Sequence, residues 1–400
     1  MAFGVRQWAI VMLLVVSWVL AVAARVLWNG DVYGLDYRLF HPDGSCYGAM
    51  AFDFAGQGID GRAEVAAAYA DQGTPRGALG PDMDDPATCN EGVRPRVLYP
   101  LLSVPFVNLL GYYGLLVVPA LSWLATVLIP VVLLLRRGLT IAPAIAGLLV
   151  LASTSVGRWS VANLVDALLM GIMAISLLVL PIFEHRPQWW RLGLFALLVL
   201  LGSLTRQSWP TWITVAAAPW VAYAFIHRSS GIRAAWGSRN PWTWFAAAGT
   251  SSAVVSWRVI DATLGSQNSA FALNQLRQVV ADPGVADPGV IKFLADIWSI
   301  LEKSLSALVI EIGQLVVLDK ALLIAIGLAF FGVWKNRDWP ASYAFLGVLI
   351  VVMALSPLNT TQGINFRFAM AVVPWIVLLG GSWSQPAGAS YVRERGPQRS

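Results

Sequence analysis

Apolar runs of about 18 to 25 residues recur along the chain, and its charged residues lie mostly between them. Coiled as α-helix, a run of that length matches the ~30 Å hydrocarbon core of a bilayer. A helix also satisfies every backbone polar group within its own segment, which lipid demands. Only 12% of the 400 residues are charged and 57% are hydrophobic. Soluble domains carry about 25% charged residues. The alternation of a membrane β-barrel is absent. The expected fold class is an all-α polytopic membrane protein, one transmembrane domain over residues 1–400. The net charge of +5 sits mostly at the ends of apolar runs, so it signals membrane lipids as partners and no nucleic acid.

About ten spans are expected, with cores at 8–28, 114–135, 140–156, 163–182, 192–205, 210–226, 242–260, 320–334, 340–357 and 367–383. The sequence AVAA at 21–24 also fits the end of a cleaved signal peptide, but Val26, Leu27 and Trp28 extend the run and favour an uncleaved anchor. Arg25 would snorkel from the end of that span. With the N-terminus in the cytoplasm, the inside segments hold 13 basic residues against three acids, Glu184, Asp338 and Glu394. Arg6, Arg136, Arg137, Lys335 and Arg337 are among the basic ones. The positive-inside rule favours that orientation and puts both termini in the cytoplasm of a plasma-membrane protein. Two long segments then lie outside, 29–113 and 261–319. Residues 298–319 carry Glu302, Lys303 and Glu311 and read as an amphipathic helix at the outer interface. Residues 99–113, apolar but short and broken by prolines, read as a helix lying along the outer surface. The ADPGV tandem at 281–290 reads as a spacer.

The first outside segment is too acidic to be a plain connector. It holds 11 of the 22 acids within residues 29–96, and unstructured loops this long are uncommon and often functional. Asp43, between Pro42 and Gly44, has two readings: an N-cap for the helix that follows, or a general base at the membrane surface. Asp166 is the only acid between Glu91 and Glu184. An acid at membrane depth is costly and points to function; the plain alternative pairs it with Arg158 or makes it a helix cap. Arg96, Arg206 and Arg367 lie at outer span ends, where arginines either snorkel or hold a phosphate through their forked donors. Cys46 and Cys89 share the first outside segment, on an oxidising side where a disulfide is expected, although two free thiols remain the alternative. Of His41, His185 and His227, two fall inside, which argues against a histidine metal site. No P-loop or dinucleotide fingerprint stands in a suitable context.

In order along the chain, these features resemble a C-type membrane glycosyltransferase (the GT-C superfamily). One span precedes a long outside loop with Pro42, Asp43 and Tyr47 early and Arg96 before Tyr99-Pro-Leu-Leu at its end. Asp166 follows in a short second loop, Leu204-Thr-Arg206 at a span end, and Asn365-x-Arg367-Phe368 with Pro374 late. The resemblance implies a polyprenyl-phosphate sugar donor and a glycolipid or polysaccharide acceptor of the cell envelope. It implies Asp43 as catalytic base, Asp166 as its assistant, and Arg96, Arg206 and Arg367 as phosphate ligands. Mannose or arabinose is the expected sugar. Gly44 follows Asp43 where some relatives carry a second acid, so no metal ligand set is assigned and a divalent cation stays optional. A lipid or polysaccharide transporter, or a non-catalytic envelope-complex protein, is the competing class. Transporters place ionisable groups and broken helices near the midplane.

Overall fold

The computed structural model describes residues 3–27, 31–32, 35–36, 44–71, 96–183, 188–206, 209–226, 236–237, 240–264, 289–337, 339–362 and 367–384. Among them the chain is helical apart from one short antiparallel pairing, Asp31–Val32 (β1) with Leu35–Asp36 (β2). Among the described residues, two helical stretches are long and apolar enough to cross a membrane, Val5–Leu27 (α1) and Leu98–Leu135. The pair Ile141–Leu151 (α6) and Thr154–Ser160 (α7) makes a third if its 66° bend is allowed within one span. Several expected spans are thus shorter or broken as helices.

The stretch Leu98–Leu135 is not one rod. It comprises Leu98–Leu110 (α4), a 3-10 turn at Gly111–Leu116 and Val117–Leu135 (α5). The Tyr99 hydroxyl donates to the Leu115 carbonyl at 2.7 Å, although the two are 16 residues apart. In a straight helix they would be about 24 Å apart. A Cβ at Gly114 would lie 2.3 Å from the Phe106 carbonyl carbon and oxygen. The chain therefore folds back at Gly111, whose φ of 57° suits glycine and few other residues. The helix expected at 99–113 is a separate element, and α5 carries the apolar length by itself.

The expected span 140–156 is interrupted. Ser153 adopts extended backbone and its hydroxyl accepts from the Val156 N–H, which caps a new helix. Asp319 reinforces the break. Its Oδ2 accepts from the Ser153 hydroxyl at 2.6 Å and the Ser155 N–H at 2.8 Å, while its Oδ1 accepts from the Leu322 N–H at 3.0 Å. The last bond caps Lys320–Lys335 (α13). One buried carboxylate thus fixes the starts of two helices.

The centre of the bundle is Asp166–Val179 (α8), shorter than the expected span 163–182. It is apolar on all sides after Asp166, and a helix of that kind is buried all round. Only Ile175 and Leu178 are exposed. It packs against α5, Trp189–Thr205 (α9) and a 3-10 segment at Arg367–Val372. Thr243–Leu264 (α11) packs on α9 and on Trp209–Ile226 (α10), and Val373–Ser382 (α15) packs on α6 and α13. Small residues allow close approach, as in lipid-embedded bundles. A Cβ on Gly171 would lie 2.9 Å from the Ser122 Cβ, and one on Gly347 of Pro340–Gln362 (α14) would lie 2.8 Å from the Ala218 Cβ.

One end of the bundle is marked by four hydrogen bonds to backbone carbonyls. Gln7 donates to Leu135 at 2.6 Å, Arg137 to Phe183 at 3.2 Å, Trp339 to Ile182 at 2.8 Å and Lys335 to Trp383 at 2.6 Å. The segments bearing Arg6, Arg136, Arg137, Lys335 and Arg337 therefore share that end. Toward the other end, Trp18 donates to the Ala120 carbonyl at 3.0 Å, which sets α1 antiparallel to α5.

Part of the first long loop is an ordered helical pair, Ser45–Phe54 (α2) and Gly58–Asp71 (α3), packed on each other, with α2 also on α4. Arg62 grips both oxygens of Asp53, at 3.0 Å to Oδ2 and 3.1 Å to Oδ1. Glu64 accepts from the Tyr112 N–H at 3.1 Å and so ties α3 to the turn after α4. Of the amphipathic helix expected at 298–319, all but Asp319 lies in Gly289–Leu318 (α12). Its Ser304, Ala307, Glu311 and Leu315 face inward, and Leu301, Leu305, Val309 and Val316 face outward. Glu302 and Lys303 are exposed as well, so the outward side is largely apolar but carries charge.

Candidate active site

Asp166 opens α8 without capping it. Val165 holds the cap position and makes no side-chain cap bond. The carboxylate is fully buried and goes instead to two guanidinium groups. Arg367 Nε donates to Oδ2 at 3.0 Å, and Arg206 contacts Oδ1. An isolated carboxylate at such depth would cost several kcal/mol, so its partners are a condition of its burial. Each partner arrives from an element end. Arg206 follows the last residue of α9 on extended backbone, and Arg367 starts the 3-10 segment before α15. All three sit at the far end of α8 from the Phe183 contact, about 20 Å away along the helix.

Arg158, named above as the partner of Asp166 in the plain alternative, stands over the neighbouring indole, its guanidinium carbon 4.3 Å from the Trp159 ring centroid. Arg367 stands over the same ring at 5.5 Å. Trp159 is buried, as are Arg158 and Arg367, while the Arg206 side chain is 12% exposed and is the member nearest the surface. Three guanidiniums and one carboxylate thus gather at the end of the central helix. That donor set suits a phosphate oxyanion, which arginine binds through paired N–H groups.

The loop helices dock beside this cluster through Asn163. A Cβ on Gly44 would lie 2.2 Å from Asn163 Oδ1, so the start of α2 rests directly on that amide. The same amide donates to the Tyr69 hydroxyl at 2.7 Å, which binds α3 as well. Asp43 lies outside the described residues. Its neighbour Gly44 occupies the cap position of α2.

Arg96 is not brought onto Asp166 in the way Arg206 and Arg367 are. It donates to the Tyr47 hydroxyl at 2.8 Å, one turn into α2 from Gly44. Tyr47 in turn meets Tyr99 edge to face at 5.6 Å. Arg96 therefore braces the loop helices against α4. Cys46, in the first turn of α2, is disulfide-bonded. Cys89 is the other cysteine of the chain and lies outside the described residues. Arg25, expected to snorkel, is buried instead, at 8% exposure.

No group of three His, Cys, Asp or Glu side chains gathers among the described residues. Asp166 is a poor cation ligand here, because two guanidiniums already face its oxygens. The described residues do not fit a divalent cation. Sequence reasoning did not single out Asn163, Tyr69, Trp159 or Asp319. Only Asp319 carried a signal, an acid between two apolar runs. No protein-family model, curated protein or solved structure matches the chain.

Proposed function

We propose that the chain is a multi-pass plasma-membrane glycosyltransferase with about ten spans, cytoplasmic termini and an extracytoplasmic active site. It moves a sugar, mannose or arabinose, from a polyprenyl-phosphate donor to an envelope glycolipid or polysaccharide. One observation carries the reading: Asp166, Arg206, Arg367 and Arg158 cluster at the end of α8 remote from the basic end, beside the docked start of the acidic loop. The short helices α6, α8 and α13 span fewer residues than the hydrocarbon requires, and under this reading the flanking apolar residues complete their crossings.

The chemistry follows from these groups. An acceptor hydroxyl attacks the anomeric carbon on the face opposite the phosphate, and a new C–O bond forms as the sugar–phosphate C–O bond breaks. The bonding pair leaves with the polyprenyl phosphate, whose charge Arg206, Arg367 and Arg158 stabilise. Asp43 takes the hydroxyl proton. Asp166 holds two of the guanidiniums in place, and α2 with α3 orients the acceptor against the membrane-held donor. Transfer with inversion at the anomeric carbon is the expected outcome.

The test is incubation of purified protein with radiolabelled polyprenyl-phosphate mannose or arabinose and a membrane glycolipid extract. Label should move into glycolipid with one donor. No consumption of either donor would sink the reading. The transporter alternative draws on one feature, the 66° break between α6 and α7 with buried Asp319 at it. It predicts flux of a lipid-linked glycan in proteoliposomes without any new glycosidic bond.

A further inference from the structure

The cluster contains a residue whose chemistry the proposed reaction does not use. Trp159 is almost fully buried, at 1% exposure, and carries two guanidiniums over one indole. Like charges repel, and in a site of low dielectric they repel strongly. The negative face of an indole offsets part of that repulsion and is the best aromatic surface for a cation. Arg367 is then held at two points, by Asp166 at its Nε and by the ring at its carbon. Arg158 comes from the residue beside Trp159, so the backbone of α7 sets its position.

We propose that Trp159 is a positioning residue of an anion site: its indole holds Arg158 and Arg367 together and presents them to a phosphate monoester carried on a lipid. This rests on the proposed reading of the cluster as a phosphate site, though not on sugar transfer. Charge alone does not make such a site. A guanidinium free to rotate loses ordering entropy on each binding event, and one already held does not. The ring supplies that order without adding or removing charge.

The experiment measures binding, not turnover. Calorimetry on the detergent-solubilised full chain uses farnesyl phosphate and inorganic pyrophosphate as probes. Trp159→Leu keeps every charge and should weaken farnesyl phosphate binding about fivefold to thirtyfold, the span of one to two cation–π contacts. Trp159→Phe keeps an aromatic face and should stay within about threefold of the wild type. Trp242→Leu, at a fully buried tryptophan on another face of the fold, controls for general loosening. It should lower Tm and leave affinity unchanged. Affinity in Trp159→Leu equal to that of the wild type overturns the inference, as does an equal loss in Trp242→Leu. If the wild type binds neither probe, the phosphate-site reading falls and takes this inference with it. If it binds farnesyl phosphate, Trp159→Leu does not, and no sugar is transferred, the anion site stands and the glycosyltransferase reading fails alone.

Discussion

Arg367 Nε lies 3.0 Å from Asp166 Oδ2, across 201 residues of chain. With Arg206 on the other oxygen, this bond closes a buried ion cluster over the end of α8. Removing one member of a buried cluster leaves charge without its counterpart, which costs about 3–5 kcal/mol. Asp166→Ala should therefore give little folded protein. Replacing the whole triad with apolar groups of similar volume is a different matter and is often neutral. The triple variant Asp166→Leu, Arg206→Met and Arg367→Met should regain most of the lost Tm yet transfer no sugar. Recovery of both stability and transfer would show that the cluster is structural only.

Asp43 and Asp53 separate a base from a brace. Asp43→Asn should leave Tm near that of the wild type and lower transfer by roughly 10²–10⁴-fold, since an amide takes no proton. Asp53 pairs with Arg62 at a partly exposed site, where such a bridge is worth about 0–1 kcal/mol. Asp53→Asn should leave transfer within about twofold of the wild type. The opposite ranking in a defined-donor assay would mean that Asp43 is the wrong carboxylate.

Gly44→Ala places a methyl group where Asn163 stands, 2.2 Å from its Oδ1. The amide must move and release Tyr69. Overpacking of this kind costs about 1–3 kcal/mol. The atoms in the way are those of the amide itself, so Asn163→Ala should be less harmful in the Gly44→Ala background than alone. A double-mutant cycle on Tm measures that coupling, and strict additivity would contradict the contact.

Asp319→Ala removes the acceptor of three hydrogen bonds at the break between α6 and α7. Loss of a cap with buried donors left over should cost about 2–4 kcal/mol. Asp319→Asn keeps one carbonyl oxygen and should cost less. Equal Tm for Asp319→Ala and wild type would show that the junction is held by packing instead.

The helical class was legible because lipid-length apolar runs admit few other folds. Asp166 stood out as the lone acid in an apolar region, and Arg206 and Arg367 as cations at span ends. Their pairing was not legible, since nothing local couples residues so far apart. The break at Ser153 was hidden for another reason. The run from Ile141 to Ala152 is apolar and Ser153, Thr154 and Ser155 add no charge, so the stretch reads as one span, and the carboxylate that stabilises the break comes from Asp319. Gly111 looked like one glycine among 35, and the approaches of Tyr99 to Leu115 and of Gly114 to Phe106 reveal a reversal there. Gly44 and Asn163 are ordinary residue types whose meaning lies in their contact.

The separation between Asp166 and its partners also sets an order of events during synthesis. At about 5–20 residues per second, Arg206 emerges roughly 2–8 s after Asp166, and Arg367 only after roughly 10–40 s. For most of that interval α8 must sit among helices that cannot yet complete its surroundings. Arg206 is then the provisional counter-ion, and the later segment that starts at Arg367 acts as the latch that closes the ion cluster. A ribosome stalled before residue 367 would hold a nascent chain whose central helix has Arg206 but not Arg367 against its buried carboxylate.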